Sequence, residues 1–159
     1  MIFTKKSGVE LDGSLSIVTR NAQGEVTNEI YVPNLVVAVG KEYIASRMIN
    51  NTSAVMQYMA LGTDDSLSTD DTVTALQAEV ALSGYSRVQA AVNQVGTANN
   101  QVEYVATFQP GNPGSDAPLV EAGIFDATTS GNMLCRTTFP IVTKQAGDTI
   151  TITWTITIN

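Results

Sequence analysis

Polar and apolar residues alternate along much of this chain, and the last twelve residues, DTITITWTITIN, show it most plainly. Ile150, Ile152, Trp154, Ile156 and Ile158 fall on one side, with Thr149, Thr151, Thr153, Thr155 and Thr157 on the other. That is the period of a strand with one buried face. Eleven such residues span about 36 Å. The segment is uncharged after Asp148 and would aggregate as an exposed edge, so it is expected in the middle of a sheet or beneath a neighbouring subunit.

The same reading recurs upstream. SLSIVTR (14–20) alternates, NAQG supplies a turn, and EVTNEIYV (25–32) returns, predicting an N-terminal hairpin that Pro33-Asn34 breaks. YSRVQAAVNQV (85–95) and QVEYVATFQP (101–110) flank residues 96–100 as a second hairpin. LVEAGIFD (119–126) and NMLCRTTF (132–139) form a third, placing Glu121 in its first strand and Arg136 in its second. MQYMALG (56–62) reads as a short strand. ALQAEVALSG (75–84) fits a short helix or a strand, and period alone does not choose. GKEYIASRMI (40–49) is the expected helix, with Tyr43, Ile44 and Met48 at helical spacing and Asn50-Asn51 ending it. Gly40 is expected to end the preceding extended segment and Lys41 to solvate the helix. The loop PGNPGSDAP (110–118) is expected to project from the sheet. Together these elements predict an all-β fold: an antiparallel β-sandwich or jelly-roll-like domain of about eight strands with one short helix, spanning residues 14–159 behind an N-terminal arm, 1–13.

At 159 residues the chain can bury about 70% of its unfolded surface in one domain. The net charge of −7 disfavours a phosphate-neutralising surface, so no nucleic-acid partner is expected. No apolar run approaches the roughly 20 residues of a membrane span, and no signal-peptide pattern follows the opening MIFTKKSG. A soluble protein made in a reducing cytoplasm is therefore expected. Only 14% of the residues are charged, which suits a surface packed against copies of itself or another shell.

Histidine is absent, which removes Ser-His-Asp, Cys-His and the usual zinc arrangements together. Cys135, mid-strand, reads as a small buried hydrophobe rather than a nucleophile. Asp64, Asp65, Asp70 and Asp71 could ligate calcium, but the spacing of a calcium loop is missing; the alternative is that Asp70 or Asp71 caps a short helix starting near Val73. Glu103 and Glu121 could serve as a glycosidase pair only if the fold brought them together. VAVGKEY lacks the first glycine and the Ser/Thr of a phosphate loop. No catalytic residue, cofactor or metal site is assigned, and the chain is expected not to be an enzyme.

Three blocks, in this order, carry a family resemblance: VPNLVVAVGKEYIASRM (32–48), MALGTDD with the downstream TDDT, AEV and Arg87 (59–87), and LVEAGIFDATTSGNMLCRTTF (119–139). They make the chain similar to small tailed-phage virion proteins and the collar-proximal part of phage tail fibres. The resemblance implies a non-enzymatic virion structural protein and carries no catalytic residues. Because a fibre's collar-proximal domain continues into a stalk and tip, a chain stopping at its last strand is expected to be a head decoration (cement) protein. It would then sit on the outer capsid surface, bound to the major capsid protein, as a homotrimer. A tail, collar or short-fibre component is the alternative, and a carbohydrate-binding module a third. The expected contact residues are Ile2 and Phe3 as anchors of the arm, Lys5 and Lys6 against acidic patches, Asn112 and Pro113 in the 110–118 loop, and Thr153 and Thr155 on the Thr-rich face.

Overall fold

The computed structural model describes residues 8–49, 52–66 and 70–159. In chain order its elements are β1 (Leu11–Arg20), β2 (Val26–Pro33), β3 (Leu35–Val36), α1 (Ala38–Ile49), β4 (Tyr58–Gly62), β5 (Val88–Gln89), β6 (Ala91–Val95), β7 (Gln101–Phe108), β8 (Ala117–Phe125), β9 (Met133–Lys144) and β10 (Thr149–Ile158). They form two five-stranded antiparallel sheets, β2-β1-β10-β7-β6 and β3-β9-β8-β4-β5, facing each other as a sandwich. Ten strands are present among the described residues, where about eight were expected. The extra two, β3 and β5, are two-residue strands too short to leave a periodic signal.

β10 is the centre of the first sheet, paired along its length with β1 on one side and β7 on the other. Ile150, Ile152, Trp154 and Ile156 are buried, as the alternation predicts, while Ile158 at the strand's end is exposed. The buried side chains meet Leu15 and Ile17 of β1, Phe108 of β7, and Leu119, Ile124 and Val142 of the other sheet in one continuous core. The N-terminal hairpin forms, with Leu15 opposite Val32 and Ile17 opposite Ile30. Its first strand starts earlier than expected, so Leu11–Gly13 are ladder residues rather than arm.

The second hairpin also forms through β6 and β7, but its first strand is divided. Val88 and Gln89 pair with β4 in the opposite sheet before the chain crosses to the first. Residues 75–84 are neither helix nor strand. They contribute a single bridge, Glu79 to Gly62, and lie along the end of β4, with Thr63 N–H donating to Ala78 O and Val80 N–H to Leu61 O, each at 2.9 Å.

α1 covers one end of the second sheet. Tyr43 and Ile44 pack on the core, but Met48, expected on the same face, is exposed. Gly40 lies in the helix's first turn, not before it, and is buried; a Cβ there would be 2.0 Å from the carbonyl oxygen of Leu134 in β9. Lys41 pairs with the Asp71 carboxylate at 2.8 Å, and Ala38 N–H donates to the Asp71 carbonyl at 2.7 Å, so the acidic loop clips the start of the helix. The expected stop at Asn50-Asn51 lies outside the described residues.

Candidate functional site

The third sequence block builds a buried polar centre. Glu121 of β8 and Arg136 of β9 both stand on the face of the second sheet that turns away from the main core. Their backbones are diagonal neighbours: Glu121 pairs with Thr138 and Arg136 with Gly123. Arg136 Nε donates to Glu121 Oε2 at 2.8 Å, and Nη2 approaches the same oxygen at 2.8 Å outside hydrogen-bonding geometry. Both side chains are at least 98% removed from solvent, because residues 73–80 cross over them. Glu121 holds that crossing segment directly, accepting from Gln77 N–H at 3.2 Å and Ala78 N–H at 2.9 Å. Three donors thus converge on one carboxylate, with the Arg136 charge beside it. Beside it Val73 and Leu76 cover Val37, Ala60, Phe125 and Met133 as a second apolar cluster.

The glycine of ALGT follows from the same centre. Gly62 lies opposite Glu121, and a Cβ there would sit 2.3 Å from Glu121 Oε1. Arg87, closing the second block, is the other structural cation. Its Nη2 pairs with Glu79 at 2.7 Å, its Nη1 donates to the carbonyls of Ala127 and Ser130 at 2.9 and 2.8 Å, and its guanidinium lies 3.8 Å from the Phe125 ring centre. It therefore ties the covering segment to the β8–β9 turn. Sequence reading located Glu121, Arg136 and Arg87 but did not pair them. The signal available was an acid and a base on adjacent strands of one hairpin, and register alone decides whether such residues meet.

The chemistry weighed in the sequence lands as follows. Glu103 is on β7 in the first sheet and Glu121 on β8 in the second, so the fold does not assemble them into an acid–base pair. The acidic loop divides its carboxylates among separate partners. Asp64 accepts from Ser66 N–H at 2.7 Å, Asp70 from the Thr72 amide and hydroxyl, and Asp71 from Lys41. These local bonds, from Ser66 and Thr72 respectively, hold the Asp64 and Asp70 carboxyls below the usual carboxylate range. The helix expected near Val73 does not form, and Asp70 closes a turn instead. Among the described residues no group of three acids, cysteines or histidines is placed to hold a metal.

Cys135 is fully buried in the main core, and that burial pushes its thiol pKa up. A thiolate is the reactive species. The native protein is therefore expected to be inert to a thiol reagent over hours and to react with one equivalent in urea; rapid labelling of the folded protein would contradict the buried placement.

The expected contact residues fall in three different places. Ile2, Phe3, Lys5 and Lys6 lie outside the described residues. Asn112 and Pro113 are drawn inward. The Asn112 side chain accepts from Ser86 N–H and donates to Ser86 O, both at 3.0 Å; Pro113 is buried; and Gly114 N–H donates to Ser83 O at 2.7 Å. The 110–118 loop is thus fastened to residues 83–86 rather than projecting, because its polar groups find backbone partners there. Thr153 and Thr155 do lie on the outer face of the first sheet, opposite Ser16 and Ser14 of β1 and Val105 and Glu103 of β7. Trp154 is wholly buried, and among the described aromatic side chains Tyr31 alone stands largely exposed. A stacking platform for sugar rings is not assembled by these residues.

One family model, described as podophage GP4 fiber I protein gp80, matches residues 43–157. That stretch holds most of α1, the covering segment, Arg87 and the Glu121–Arg136 pair. No curated protein matches the chain. The chain belongs to the podophage fiber I family and is a phage virion component.

Proposed function

We propose that this member of the podophage fiber I family is a non-enzymatic component of the phage tail or collar, acting as a structural fibre domain that binds by surface complementarity. The observation that carries the reading is the match over 43–157 to a fiber protein family, which favours the tail over the capsid shell. The disposition of charge supports a structural role. Four charged residues of the second and third blocks, Glu79, Arg87, Glu121 and Arg136, bind one another and the backbone inside the domain.

Two central strands of the first sheet offer a partner uncharged rows. The outer face of the first sheet presents Ser14, Ser16, Thr151, Thr153 and Thr155 in adjacent rows across β1 and β10. These hydroxyl rows pack with little charge to desolvate between β1 and β10, Glu29 of β2 and Glu103 of β7 lying to either side, and repetition around a symmetric assembly multiplies a modest affinity per copy. We assign this face to self-association, as a homotrimer. The test is a reconstruction of the intact particle by electron cryomicroscopy. Density for the ten-stranded sandwich at the collar or tail, in at most a few dozen copies, is the expected result. Density over three-fold positions of the shell, against the major capsid protein and in hundreds of copies, would overturn it and establish capsid decoration instead.

A further inference from the structure

Register rules the outer face of the first sheet into rows. One row aligns Tyr31 of β2 with Ser16 of β1, Thr153 of β10, Val105 of β7 and Ala91 of β6. It crosses all five strands without a charge. With strands about 4.8 Å apart, it is about 19 Å wide. Its side chains shorten from one end to the other, from a tyrosine that is 73% exposed on β2 to an exposed alanine on β6. The two neighbouring rows each carry one acid, on opposite halves of the sheet. Glu29 lies on β2, in a row that reaches Thr107 of β7; Glu103 lies on β7, in a row that passes through Ser14 of β1.

We propose that Tyr31 anchors the contact between copies, packing on Ala91 and Val105 of the next copy about a threefold axis that runs along the strands. The inference rests on the assignment of this face to self-association, and it fixes which residues meet. An axis parallel to the strands keeps every row at its own height. It brings the β2–β1 side of one copy against the β7–β6 side of the next, a head-to-tail contact that a threefold rotation closes. The large end of the central row then meets the small end. Both halves of that complement lie on one face, which is what pairing with a second copy of this chain requires. Charge agrees. Glu29 meets the Thr107 side of its row and Glu103 the Ser14 side of its own, so no acid opposes an acid. For a chain of net charge −7 that matters, because like charges set against each other across an interface are costly. An axis across the strands would set Tyr31 against Tyr31 at the rim and leave the small end without a large partner. Tyrosine is also the kind of side chain on which binding energy concentrates.

Opposite charges placed at the two ends of the row test the contact. Tyr31→Lys alone and Ala91→Glu alone should each weaken the trimer by at least about tenfold in sedimentation equilibrium. Both positions are exposed, so the circular dichroism spectrum should not change. Tyr31→Phe keeps the ring and should assemble like the parent. Combined in one chain, Tyr31→Lys and Ala91→Glu should recover most of the lost affinity. Within a chain the two positions are about 19 Å apart, so the introduced charges can meet only between copies. A double variant as weak as the two losses together would overturn this contact, as would a Tyr31→Lys variant that assembles like the parent; a trimeric parent would keep the self-association reading in either case. A dimeric parent would overturn the threefold axis. A parent that stays monomeric at every concentration would remove the self-association reading, and the contact with it.

Discussion

Replacing Arg136 with Met is expected to lower the stability by about 3–5 kcal/mol, because it leaves the Glu121 carboxylate charged, buried and short of its counter-ion. For a domain of this size that corresponds to a fall in Tm of about 10 °C. Glu121→Ala should be at least as damaging. It strands the Arg136 guanidinium, and it also removes the acceptor of the Gln77 and Ala78 amides, each of which costs about 1–3 kcal/mol if buried without a partner. The double variant separates the two contributions. Removing both charges relieves the stranded ion, so the combined loss should be smaller than the sum of the single losses by about 2 kcal/mol or more. What persists is the unpinned covering segment, which should show as protease cleavage between residues 63 and 87 while the sandwich stays intact. Urea denaturation of the four proteins measures the cycle. Single losses that add to within about 0.5 kcal/mol would mean the two side chains do not act as a unit.

That pair also marks how far the sequence could be read. The sandwich was legible because sheet period is a local property. In DTITITWTITIN every second residue is large and apolar, and a strand so uncharged has few places to go except the centre of a sheet. The resemblance carried by the three blocks was legible too, and it led to the virion. What the sequence did not disclose was that the three blocks meet. Glu121 sits fifteen residues from Arg136 and more than forty from the amides it accepts. A hairpin register error of one residue would have turned the acid into the core or into solvent. The covering segment itself has no period at all, being held by side chains and a single bridge to β4 instead of a continuous ladder. Sequence preference for a decorating role over a fibre rested on where the chain stops, a feature with no physical bearing on the surface it presents. The 110–118 loop was misplaced for a related reason. Pro and Gly announce a turn but not its destination, and Asn112 bonds to Ser86 across 26 residues.

Gly40→Ala offers a test in which two local arguments give opposite signs. By helix propensity alone the change should stabilise α1 by about 1 kcal/mol, since Gly40 is inside the helix and Ala is the better helix former. The packing says otherwise. The new methyl carbon would lie 2.0 Å from the Leu134 carbonyl oxygen and 2.8 Å from its carbon, and these are backbone atoms of a central strand that cannot rotate away. The same carbonyl accepts the Val37 amide at 3.2 Å, the bond that fixes the start of the helix. The helix must therefore move off β9, loosening Tyr43 and Ile44 from the core, so the expected net result is a loss of about 2–3 kcal/mol. The loss should be local as well as global. α1 forms one wall of a groove beside β1, so amide exchange should accelerate in residues 38–49 and 34–36 well before the β1–β10 ladder is affected. A stability equal to or above that of the parent would show that the helix does not rest on the β9 backbone. The same argument applies to Gly62 under Glu121, where a Cβ would lie 2.3 Å from Oε1 and 2.5 Å from Cγ of a side chain held by Arg136, Gln77 and Ala78, so Gly62→Ala should also destabilise.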